Sequence, residues 1–158
     1  MNIDIEFELN GRAERRHVDV RDNAIDVLGR CGLKAARESC GQGLCGCCTL
    51  YVDGAPVSGC LYPAWKLQDK RVETLEALNE ANGELDPVQQ AFIECGAFQC
   101  GFCTPGFVMM TRKLLEAHPR PTDAQIEHYL AGNLCRCGTY PEIIAAVRLA
   151  AERIAARN

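Results

Sequence analysis

No stretch of this chain approaches the roughly 18 consecutive apolar residues that a membrane helix needs, so an α-helical span is not expected. Its start, Met1-Asn2-Ile3-Asp4-Ile5-Glu6, lacks the basic opening and apolar centre of a signal peptide, which points to a soluble protein made in the cytoplasm. Basic residues form no block: Lys+Arg 17 are dispersed against Asp+Glu 21, for a formal charge of -4. Nucleic-acid binding therefore has no electrostatic support. Histidine is scarce as well, with only His17, His118 and His128. They read as surface or satisfied structural residues. Cysteine, by contrast, is abundant, at 11 in 158 residues. In a compartment that keeps thiols reduced, such density points to metal rather than to disulfides.

Eight of the cysteines form two quartets. Cys40, Cys45, Cys48 and Cys60 are spaced C-x4-C-x2-C-x11-C, close to the plant-type ferredoxin arrangement for a [2Fe-2S] cluster. Gly41, Gly43 and Gly46 let this loop wrap closely and aim N–H groups at sulfur, which stabilises an anionic cluster. A structural zinc site usually uses paired C-x2-C elements, so a long loop with one distant cysteine favours iron. Cys100, Cys103, Cys135 and Cys137 are spaced C-x2-C-x31-C-x-C. By spacing alone this second quartet suits either zinc or a cluster. Its setting favours an anionic centre, because Cys100 and Cys103 precede Pro105 at an expected helix start. No histidine has a ligand-like spacing in either quartet, which argues against a Rieske-type centre.

The hydrophobic period changes near residues 75 to 87. Before it, Ile3, Ile5, Phe7 and Leu9 alternate with polar residues, Asn10-Gly11 supplies a hairpin turn, and Val18 and Val20 continue beyond. Asp22 is the expected cap of a short helix carrying Ile25, Leu28 and Leu33 inward. Residues 49–52 and 57–61 flank Asp53-Gly54 as a second hairpin, and 72–75 read as a last strand. After the division, helices are expected over 87–98, 105–118, 123–131 and 140–156, with Thr122 as an N-cap. The last of them carries Ile143, Ile144, Val147, Ala151 and Ile154 along one side. The expectation is an α+β chain: a β-rich unit over 1–76, a helical unit over 84–158, and one quartet in each. Two small units would have thin cores that benefit from metal staples.

The run Gln99-Cys100-Gly101-Phe102-Cys103-Thr104-Pro105-Gly106, with Gly132-Asn133-Leu134-Cys135-Arg136-Cys137 and the Cys40-to-Cys48 loop, resembles the small iron–sulfur subunit of the xanthine oxidase family of molybdenum hydroxylases. The likeness covers essentially the whole chain. It implies an N-terminal β-grasp ferredoxin-like domain, a C-terminal four-helix bundle, and one [2Fe-2S] cluster in each. It further implies a large partner subunit with molybdenum on a pterin dinucleotide, and a medium subunit carrying FAD or another acceptor. On this resemblance, Cys100, Cys103, Cys135 and Cys137 hold the cluster nearer molybdenum, and Cys40, Cys45, Cys48 and Cys60 the one nearer the flavin. Gln99 and Cys137 are the implied pterin contacts, and no substrate-converting site is expected on this chain. Export together with a signal-bearing partner is compatible with the same family. Three departures leave the ligand set intact: Ser39 where glycine is frequent, Leu44 where an acidic residue is common, and Gly138-Thr139-Tyr140-Pro141 in place of Thr-Gly-Tyr. Two rival readings remain, a free-standing ferredoxin-like carrier, which would purify alone, and a zinc-stabilised interaction module, which would be colourless.

Overall fold

The computed structural model describes residues 1–79 and 83–157. Strand β1, Asn2–Leu9, buries Ile5, Phe7 and Leu9 and exposes Glu6 and Glu8, as a period of two requires. Asn10 and Gly11 take φ of 50° and 77° and turn the chain into β2, Arg12–Asp19. Positive φ at both central positions matches the twist of the flanking strands. The ladder is antiparallel, from Asn2 opposite Asp19 to Leu9 opposite Arg12. A second hairpin joins β3, Thr49–Val52, to β4, Ala55–Ser58, through Asp53 and Gly54. Strand β5, Arg71–Glu73, lies between the hairpins, parallel to β1 and antiparallel to β3. The five-stranded order is β2-β1-β5-β3-β4.

Helix α1, Ala24–Arg30, shares a core with this sheet through Ala24, Val27 and Leu28 against Ile5, Phe7, Val18, Leu50 and Val72. Its cap is Asn23, in a reciprocal box with Asp26, rather than the expected Asp22. Asp22 instead accepts the Asp19 N–H at 2.8 Å and pairs with Arg30 at 2.7 Å. Leu33 falls beyond the helix, and Ile25 is only half-buried. Residues 59–61, which include Cys60, form a 3-10 turn rather than the end of a strand. Another such turn, Leu75–Ala77, replaces the end of the expected last strand.

Four helices follow: α2 Pro87–Glu94, α3 Thr104–Ala117, α4 Asp123–Leu130 and α5 Tyr140–Arg157. Helix α2 stops short of residue 98 because Gly96 takes φ 59° and closes the end. Its N–H reaches Ile93 O at 3.1 Å, and that of Ala97 reaches Phe92 O at 2.9 Å. Thr122 caps α4 as expected, in a box with Gln125. Phe92, Phe107, Met109, Leu114, Ile126, Ile143 and Val147 fill the helical core. Each such side chain contributes on the order of 1.5–3 kcal/mol by leaving water. On α5 the inward stripe is Ile143, Ala146, Val147, Ala150 and Ala151, with Ile144 and Ile154 half-buried at its margin. Small residues let α5 lie close to α2, and Arg153 ties to Glu94 at 2.5 Å. Among the described residues no helix is long and apolar enough to cross a membrane.

The two regions meet along a tight seam. Cys45, Cys47 and Tyr51, all from the sheet region, belong to the helical core. The Tyr51 hydroxyl donates to Met109 O, and the Leu134 N–H donates to Cys45 O at 3.0 Å. Gly46 and Gly106 approach so closely that a Cβ on Gly106 would overlap the Gly46 carbonyl, its carbon only 3.0 Å away. Residues 80–82, the middle of the expected division, lie outside the described residues.

Candidate metal centres

Glycines in the left-handed region shape the first site. Gly43 and Gly46 take φ of 71° and 70° and coil the loop back on itself. The Gln42 N–H then reaches Cys40 Sγ at 3.4 Å. The N–H groups of Gln42 and Leu44, followed by the Cys45 thiol, pull the Cys40 thiol down to about 6. Cys45, Cys48 and Cys60 are buried, and burial pushes Cys48 up to about 11. Cys40 lies against Cys45, and Cys48 against Cys60, so the four sulfurs form two pairs. Gly43 packs under Leu61 in the turn that carries Cys60, closing the loop over the site.

Helix ends build the second site. Cys103 is the N-cap residue of α3, and Cys135 and Cys137 lie between the end of α4 and the start of α5. Two helix N-termini therefore open beside these thiols, which favours negative charge there. The Phe102 N–H, then the Cys137 thiol, hold Cys100 below the ordinary thiol range. Burial pushes Cys103 up to about 12. Burial acts the same way on Cys135, yet the hydroxyl and N–H of Thr139 outweigh it and bring that thiol down to about 7. Thr139 Oγ1 is 3.2 Å from Cys135 Sγ, and the Cys135 N–H donates to the Tyr140 hydroxyl at 3.0 Å. Tyr140 is braced edge-on against Phe107, with ring centroids 6.4 Å apart. The departure from Thr-Gly-Tyr thus places a hydroxyl on a candidate ligand. Here too the sulfurs pair, Cys100 with Cys137 and Cys103 with Cys135.

This pairing tests what each quartet can hold. A two-iron core is gripped by two thiolates on each iron, and two pairs of sulfurs per site fit that requirement. A tetrahedral zinc needs all four sulfurs about one centre.

Cysteines outside the quartets have other surroundings. Cys31 accepts from Arg16 Nε at 3.2 Å, and Cys95 ends α2. Cys47 is 4% exposed and lies against Cys45, close enough to Cys103 for that thiol to feel it. Burial pushes its thiol up to about 12. His17, His118 and His128 are all exposed, and His17 pairs with Asp4 at 2.7 Å. Gln99 is exposed beyond the end of α2, whose C-cap residue is Cys95. Sequence reasoning missed Arg37, Asn133 and Tyr140. Arg37 Nη1 donates to Gly101 O at 3.2 Å, and Asn133 Nδ2 lies 3.5 Å from Gly46 O. No local spacing announces contacts between residues 64 and 87 positions apart.

Residues 74–148 match the model of a [2Fe-2S] binding domain. Together with the sheet, the five helices and the paired thiols, this defines an iron–sulfur protein. The chain is 41% identical to the nicotinate dehydrogenase small FeS subunit of Eubacterium barkeri, over 97% of this chain and 98% of that one. It is 41% identical to the xanthine dehydrogenase iron-sulfur-binding subunit of Escherichia coli O157:H7, over 92% of each. Quinoline 2-oxidoreductase from Pseudomonas putida 86 contains a chain that superposes with a TM-score of 0.91 at 36% identity, over 99% of this chain and 96% of that one. The chain belongs to the small iron–sulfur subunits of xanthine-oxidase-family dehydrogenases.

Proposed function

We propose that this chain is the internal electron conduit of a multisubunit molybdenum hydroxylase, with Cys40, Cys45, Cys48 and Cys60 ligating one [2Fe-2S] cluster and Cys100, Cys103, Cys135 and Cys137 the other. Residues 1–76 would then form a β-grasp ferredoxin-like domain and residues 84–158 a four-helix bundle. When bound, the clusters supply one-electron outer-sphere chemistry. The thiols of this chain anchor the iron, while the N–H groups of Gln42, Leu44 and Phe102 and the Thr139 hydroxyl point at sulfur and favour its charged form. Burial of Cys48, Cys60, Cys103 and Cys135 excludes water.

The observation that carries this reading is the Leu134 N–H to Cys45 C=O bond of 3.0 Å, which joins a residue beside Cys135 to a ligand of the other quartet. The two sites are thereby one hydrogen bond apart along the backbone. A large partner subunit holding molybdenum on a pterin dinucleotide faces the second quartet, where Gln99 and Cys137 contact the pterin. A medium subunit with FAD, or another acceptor, faces the first. The assembly works in the cytoplasm, where thiols stay reduced until iron arrives.

Co-purification from the native host tests the proposal. A coloured complex containing molybdenum- and flavin-binding subunits is expected, and a brown chain purifying alone would make it a free carrier instead.

A further inference from the structure

We infer that Arg37 is a positioning residue that sets the reduction potential of the centre at Cys100, Cys103, Cys135 and Cys137, reaching it from the opposite half of the chain. The inference rests on the two-cluster reading above. Arg37 precedes the first quartet, and its backbone N–H donates to Cys47 O at 3.1 Å, inside the Cys45-to-Cys48 segment. Its side chain points the other way. Nε donates to Lys34 O at 3.2 Å, Nη1 donates to Gly101 O at 3.2 Å, and the guanidinium carbon sits 5.4 Å from the centroid of the Phe102 ring. The segment before it is pinned as well, because the Glu76 carboxylate accepts from the N–H groups of Lys34 and Ala35 at 3.0 and 2.9 Å. A planar fork stacked on an aromatic face suits arginine, and lysine cannot reproduce both contacts.

The bond to Gly101 O matters because of what lies across the same peptide. The carbonyl of Gly101 and the N–H of Phe102 belong to one planar amide, and that N–H faces the Cys100 sulfur. A cation on the carbonyl end polarises the amide and strengthens its N–H as a donor, as hydrogen bonds in a chain polarise one another. Reduction adds one electron to the centre with no bond made or broken, so negative charge on sulfur grows. A stronger donor and a nearby positive charge both stabilise that state. Arg37 therefore raises the potential of the second centre. Toward the first quartet Arg37 presents its backbone N–H, bonded to Cys47 O, and that centre should respond less.

EPR-monitored potentiometric titration of the purified full-length chain tests this, with the two signals assigned by Cys48→Ser, which lacks the first centre. In Arg37→Met the ratio of reduced to oxidised second centre, read at the wild-type midpoint, should fall about tenfold, equivalent to about 59 mV for one electron. The first centre should shift by less than half as much. Arg37→Lys, which keeps the charge and loses the fork, should fall between wild type and Met. An unmoved second centre, or equal shifts of both, would overturn the inference. If Arg37→Met fails to retain iron, Arg37→Gln is titrated under the same two criteria. A wild-type chain lacking two iron–sulfur signals would instead sink the two-cluster reading itself.

Discussion

The two thiol quartets reach similar electrostatics by different architectures. In the first, nine residues of coiled loop bring their own N–H donors, and only Cys60 arrives from elsewhere. In the second, donors and thiols come from the starts of α3 and α5 and the turn after α4, which tertiary packing must bring together. Each site nonetheless holds thiols low, Cys40 at about 6 in the first and both Cys100 and Cys135 in the second, Cys135 at about 7, and one high, Cys48 at about 11 and Cys103 at about 12. Ligands to iron must be thiolates. Burial raises both Cys48 and Cys103, and the same burial would exclude water from a filled site. The loop can be shaped largely by its own sequence, whereas the helical site depends on its fold.

That contrast can be broken most severely at the ligands. Cys103→Ser should abolish the second centre and loosen the helical core around Phe107, while Cys48→Ser should remove only the first centre. Iron analysis with thermal melting reads both. Equal loss of both centres from either change, in a chain that stays folded, would contradict one quartet per region. Gly106→Ala attacks the seam, where a new Cβ meets backbone that cannot swing aside. It should cost about 1–3 kcal/mol, the usual range for overpacking, and lower the melting temperature by several degrees.

Smaller effects sharpen the contrast. Gln99→Ala should leave both centres intact in the isolated chain, yet weaken assembly by about 1–3 kcal/mol if its partner is left buried and unpaired; assembly with the molybdenum subunit, followed by titration, measures it. The smallest effect is expected at Cys47. Although it lies between Cys45 and Cys48, Cys47→Ala should keep full iron content and the spectrum of the first centre, because a buried thiol there behaves as a small hydrophobe. Loss of iron in that variant, with retention in Cys48→Ser, would reassign the ligand.

Local chemistry was legible in the sequence where it is local in the fold. The Asn10-Gly11 and Asp53-Gly54 turns, the Thr122 cap and the C-x4-C-x2-C loop each depend on residues a few positions apart, and the structure has the turns and the cap as expected. Asp22, the expected cap, is engaged by Arg30, and its neighbour Asn23 caps the helix in its place. Helix α2 ended early through the φ of Gly96, a backbone choice that hydrophobic period does not report. The seam was not legible at all. Gly46 against Gly106, Arg37 on Gly101 and Leu134 on Cys45 join segments that no periodicity connects, and the placement of Cys45 and Cys47 in the helical core follows from them.

One chain is expected to hold two [2Fe-2S] centres of unequal construction. Metal analysis with EPR of the dithionite-reduced, full-length protein tests it most directly. About four iron atoms per chain are expected, as two such clusters require, with no stoichiometric zinc and two distinct signals of equal spin count. Stoichiometric zinc, or about two irons with a single signal, would contradict it.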